Sequence, residues 1–164
     1  MSWGLFSVAL LLVYLVQTAV LPHFAPQWLD LFLTFALLCG LTAPVADARL
    51  AGWIAGLAQD VGSDGPLGIH ALALGLAVLL LTRLREVVNR ELWWVRWLVG
   101  LVVALPAQLL VQLHDRYFLG AAVSWLHMLG YSLLTAAAAA LLAALVLRLP
   151  TLFRPRRPYS ALRW

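Results

Sequence analysis

The sequence predicts an all-helical bundle embedded in a membrane, and three observations carry that prediction. Hydrophobic residues make up 64% of the 164 positions, charged residues only 11%, and mean hydropathy is +0.94. A soluble domain is about half apolar and a quarter charged, so a chain this poor in charge cannot cover a water-exposed surface. Apolar runs recur along the chain at close to the roughly 20 residues that a spanning helix needs, separated by Pro- and Gly-rich turns. The basic charge, finally, is all arginine and most of it is gathered after the fourth and sixth runs, as topology-setting charge is.

The first run covers residues 3–21 and ends at "PHFAP", where Pro22 and Pro26 break the helix. It has no basic leader and no small-residue cleavage site, and reads as a retained span and not as a signal peptide. The second covers 29–41 and stops before Pro44; the third covers 46–61 and ends in "GSDGP". The second reaches only about 20 Å against a hydrocarbon core of about 30 Å. It and the third either draw in flanking residues such as Trp28 and Thr42 or form a hairpin that dips in and returns. The fourth run is 67–82, closed by "RLREVVNRE", in which Glu86 and Arg90 stand four apart as a surface pair. The fifth is 92–113, with Pro106 inside it, and the sixth is 123–147. The division is therefore a membrane domain at 1–147 and a basic, Pro-rich tail at 148–164 whose composition reads as disordered.

With six crossings, one face carries Arg83, Arg85 and Arg90 together with Arg148, Arg154, Arg156, Arg157 and Arg163, whereas the other carries Arg116 alone. The positive-inside rule then places both ends of the bundle in the cytoplasm. The basic face formed by Arg83, Arg85, Arg90, Arg154, Arg156 and Arg157 suits anionic lipid or an acidic cytoplasmic partner, not nucleic acid. Trp3, Trp28, Trp93, Trp94, Trp97 and Trp125 fall near the predicted span ends, where interfacial aromatics belong. One cysteine, Cys39, excludes a disulfide framework and a thiolate metal site and reads as a small core residue.

Lipid gives helices no hydrophobic reason to associate, so close backbone approach must hold the bundle together. Gly52 and Gly56 form a GxxxG element, extended one turn back by Ala48; Ala71 with Gly75 and Gly100 with Ala104 repeat the spacing. Most of these sites read as packing within the chain. The last run contains "TAAAAALLAA" at 135–144, an almost bare helix surface and the best candidate for contact with another protein.

The segment "GWIAGLAQDVGSDGPLGIHAL" adds an acidic residue to this glycine stripe. Asp60 has two open readings: exposed at headgroup depth, or turned into the bundle, where an ionised carboxylate costs about 2.5–3.5 kcal/mol and needs a partner. The donors available are Ser63 and the N–H groups at the start of the next helix, 67–70, and a helix N-terminus favours an anion. Asp60 or Asp64 then ties the turn to that helix as a structural hinge.

The same stretch carries a resemblance. Gly52, Gly56 and Asp60, followed by Pro66-Leu67-Gly68 and then Ala71-Leu72, are similar in order and spacing to the G-x-x-x-G-x-x-x-D element, P-L-G turn and small-residue helix of the rod shape-determining protein MreD family. The likeness covers roughly residues 29–86; Asp47 and Arg49 depart from the more basic second loop usual in the family. The resemblance implies a non-enzymatic component of the bacterial inner membrane, part of the cell-elongation machinery that builds peptidoglycan. It implies MreC, a single-span envelope protein, as the binding partner, alongside the MreB filament, a SEDS glycan polymerase and a class B penicillin-binding transpeptidase. It also implies a fold similar to the substrate-binding subunits of ECF transporters. Gly52, Gly56, Asp60, Asp64, Pro66, Gly68 and His70 become the structural or partner-interface candidates.

Rival functions find less in the residues. A signal-peptidase-II-like protease needs two intramembrane aspartates, and Asp115 falls in the loop "HDRYF". Ser124 and His127 stand three apart with no third group to orient them, and no H-E-x-x-H or G-x-S-x-G occurs. His23 and His70 stand alone, so neither metal nor cofactor is expected. An ECF-type solute-binding subunit is the main alternative; it requires polar side chains facing one cavity, and the spans offer Gln17, Thr18, Thr34, Gln59, Gln108 and Gln112.

Overall fold

The computed structural model describes residues 1–24, 28–63, 65–87, 92–118, 120 and 124–152, and all regular structure among them is helical. We number six helices: α1 Trp3–Phe24, α2 Leu31–Thr42, α3 Val45–Val61, α4 Ile69–Val87, α5 Trp93–Phe118 and α6 Trp125–Leu152. α1, α5 and α6 are long and apolar enough to cross a membrane; α2 is a shorter apolar helix. α6 continues past Leu147 to Leu152, and α5 runs through Pro106 without a break.

Consecutive helices are antiparallel neighbours, and the tightest pairs are α3 with α4 and α5 with α6. α2 occupies the middle, where it touches all the other helices. Its residues Phe32, Leu33, Ala36 and Leu37 are buried together with Val78, Leu81, Val103 and Ala140 from three neighbours. α1 lies at the edge and is the most exposed of the three long helices. A π-helical turn at Val16–Val20 widens α1 near its end, and there the Gln17 amide bonds both Leu29 O and Leu31 N–H at the start of α2.

Small residues set the helix spacing. The alanines of α6 at 136, 139, 140, 143 and 144 are all buried, facing α5 and α2; a side chain at Gly100 would lie 3.1 Å from Ala140 Cβ. The bare surface expected to meet another protein is therefore spent within the chain. Lipid-length leucines instead point outward from α6, including Leu133, Leu134 and Leu141. The physical reason lies in close packing: alanine lets two backbones approach and gain dispersion contacts that lipid cannot supply.

Candidate functional site

In α3, Ala48, Gly52, Gly56 and Asp60 recur every four residues and so share one face, and all four are buried. That face lies against α4. A Cβ at Gly56 would fall 2.4 Å from both the Ala71 Cα and the His70 carbonyl, and one at Gly52 would fall 2.8 Å from Val78. On the other helix, Gly75 lies under the Trp53 ring, which a Cβ there would meet at 2.5 Å. The glycines thus bring the two backbones into direct contact.

At that close approach Asp60 stands opposite the first turn of α4. Its carboxylate accepts hydrogen bonds from the N–H groups of Gly68 (2.9 Å), His70 (3.0 Å) and Ala71 (3.1 Å). His70 Nδ1 lies 3.0 Å from the same carboxylate. Gly68 adopts φ of 108°, a region closed to most L-residues, and this lets the N–H groups converge on one anion. Asp60 is therefore a cap supplied by the preceding helix, placed where the orphan donors and the positive end of the macrodipole favour negative charge. Of the two readings of Asp60, the structure takes the one turned into the bundle, with an exposure of 1%. Ser63 bonds the Asp60 carbonyl and not its carboxylate. Pro66 lies exposed in the turn, and Asp64 lies outside the described residues.

A second carboxylate, Asp30, sits just before α2, where a helix cap is the ordinary role and the sequence signals nothing more. It does cap: its side chain accepts from Leu33 N–H at 2.9 Å. Yet it is also buried, and it accepts from Gln59 of α3 at 3.2 Å and Gln108 of α5 at 3.0 Å. Three of the polar residues proposed to line a solute cavity, Gln17, Gln59 and Gln108, thus gather at the start of α2, where their amides bond Asp30 or the backbone.

The other end of α2 is held by Arg85. Expected on an exposed basic face, it instead turns inward from α4, and its Nη1 donates to the carbonyls of Gly40 and Ala43, both at 2.7 Å. The correction has a simple cause: the last carbonyls of a helix buried in the bundle need a donor, and a long guanidinium can reach them. Arg83 is exposed, whereas Arg90, Arg154, Arg156 and Arg157 lie outside the described residues. α2 now carries a carboxylate at its N-terminus and a guanidinium at its C-terminus, the polarity that its dipole favours. This explains its length of 12 residues: both ends find polar partners inside the protein and need not reach the headgroups.

Other candidates resolve locally. The backbone N–H of His127 donates to Ser124 Oγ at 3.3 Å, making Ser124 the start of α6 and not a nucleophile paired to an imidazole. Among the described residues, no three metal-binding side chains come together. Among the described residues, apolar recesses open on the lateral surface. One, of about 340 Å³, runs between α1 and α3 past Phe6, Leu10, Tyr14, Ile54 and Ala58; another, of about 140 Å³, lies between α4 and α5 beside Pro106.

Fold and site together define a helical membrane protein whose innermost ionisable groups fasten helix ends to one another. The model of the family described as rod shape-determining protein MreD matches residues 1–149, and the chain belongs to that family. Its membership ties the protein to the determination of rod shape. Neither a curated protein nor a solved structure gives a significant match.

Proposed function

We propose that this protein is a non-enzymatic scaffold of the bacterial cell-elongation machinery, set in the inner membrane as a six-crossing bundle with both ends cytoplasmic. In this reading it binds MreC and links it to the MreB filament, the SEDS glycan polymerase and the class B penicillin-binding transpeptidase. Family membership supports the setting. The observation that carries the inert role is the engagement of Asp60: three backbone N–H groups and one imidazole occupy the carboxylate that a membrane hydrolase would keep for water. The loosely packed α1 and the groove beside it offer a seat for a single-span partner helix, since the faces of α3 and α6 richest in small residues are filled from within.

The test is in-membrane photocrosslinking from exposed positions on both sides of that groove, Leu11 of α1 and Ile54 of α3, with Leu141 of α6 as comparison. Recovery of MreC from the groove positions is the expected result. Recovery of an ATPase instead, together with saturable capture of a vitamin by the purified protein, would replace the scaffold with a solute-binding subunit.

A further inference from the structure

Arg49 lies on α3 near the α2–α3 turn, and its Nε donates to Thr82 Oγ1 of α4 at 3.1 Å. Thr82 is fully buried and its hydroxyl donates to the Leu79 carbonyl at 2.8 Å, so the guanidinium is anchored by a fixed hydroxyl. Arg83 follows Thr82 in sequence and is exposed. Among the described residues, Arg49 makes no other bond and Arg83 makes none. Asp47, the nearby carboxylate on α3, is taken by the amino group of Met1 at 2.7 Å. Two positive charges therefore stand near the end of the bundle, on α3 and α4, with no carboxylate partner among the described residues.

Along the same seam the surface becomes apolar. Trp53 lies one turn from Arg49 on α3, and Leu79 one turn from Arg83 on α4; both are more than a third exposed. Charge at the end and an apolar wall running towards the middle is the chemistry of one molecule lying lengthwise: a phosphate head with acyl chains. A soluble acidic protein would satisfy the arginines and leave the wall uncovered, and free phosphate would do the same.

We propose that Arg49 and Arg83 form a binding site for one anionic phospholipid. The Nη groups of Arg49, oriented by the Thr82 anchor, hold the phosphate as a fork, Arg83 adds charge from the side, and the acyl chains lie against Trp53 and Leu79. The proposal needs only a membrane-embedded chain and does not depend on which proteins the scaffold holds.

The full-length protein is exchanged into mild detergent with equal phosphatidylglycerol and phosphatidylcholine, and retained lipid is counted by native mass spectrometry. The expected result is a several-fold preference for phosphatidylglycerol. Arg83→Gln, at an exposed and unbonded position, should weaken that preference with the fold intact. Arg49→Lys, which keeps the charge and loses the fork, should weaken it further, and Arg49→Gln/Arg83→Gln should abolish it. Equal retention of both lipids by the native protein would overturn the site, as would a preference that Arg83→Gln and Arg49→Lys leave unchanged. Saturable binding of glycerol phosphate without lipid preference would also overturn it.

Discussion

Replacing Asp60 with alanine removes a cap that serves three backbone donors at once, and its cost follows from where those donors lie. Ala71 is buried, so its N–H would lose its partner inside the bundle, at about 1–3 kcal/mol. Gly68 and His70 are partly exposed, so their N–H groups can recruit water, and each loses about 0.5–1.5 kcal/mol. The total is about 2–6 kcal/mol, a large share of the roughly 5–15 kcal/mol that a folded domain has. Asp60→Asn keeps the size and one acceptor oxygen but turns an NH2 group towards N–H donors, and should cost about half as much. The assay is reversible SDS unfolding in mixed micelles, followed by circular dichroism and tryptophan fluorescence. A cost for Asp60→Ala below about 1 kcal/mol, or one smaller than that of Asp60→Asn, would refute the capping argument, because it would mean that the carboxylate's burial outweighs the bonds it accepts.

Three further substitutions test the rest of the framework in the same unfolding assay. Gly56→Ala puts a methyl against the backbone of Ala71 and His70, which cannot yield as a side chain can; it should destabilise by at least the about 1–3 kcal/mol typical of overpacking, and a neutral result would deny the close approach of α3 and α4. Arg85→Ala leaves the Gly40 and Ala43 carbonyls without this donor and should cost about 3 kcal/mol, with Arg85→Lys recovering part of it; equal losses for the two variants would show that packing, not carbonyl capping, is the role of Arg85. Gly68→Ala forces a Cβ into the left-handed region and should cost about 1–2 kcal/mol; a stability equal to the native protein's would mean the turn does not need that conformation.

Much of this is legible in the sequence. The GxxxG element reads as internal packing, and the carboxylate after it reads as a hinge to the next helix, because glycine spacing and helix-end donors are local in sequence. The role of Arg85 is hidden for the opposite reason. Its neighbours Arg83 and Arg90 make it look like part of a basic cluster, and the carbonyls it serves, at Gly40 and Ala43, are more than 40 residues away. Asp30 is invisible in the same way: a turn carboxylate gives no sign of two glutamines arriving from α3 and α5. The alanine run of α6 is recognisable as a packing surface, but a stripe does not say whose helix lies against it.

By itself the sequence determined the solvent, the number of helices and the residues able to bring backbones together, since hydropathy and small-residue spacing act through nearest neighbours along the chain. Only the tertiary structure decided which polar groups meet. It put the short α2 at the centre with Asp30 at one end and Arg85 at the other, and it set Asp60 on the N-terminus of α4. Pairing of that kind depends on distances across the bundle, and in a medium without water each buried donor and acceptor must find its partner wherever the fold brings one within reach.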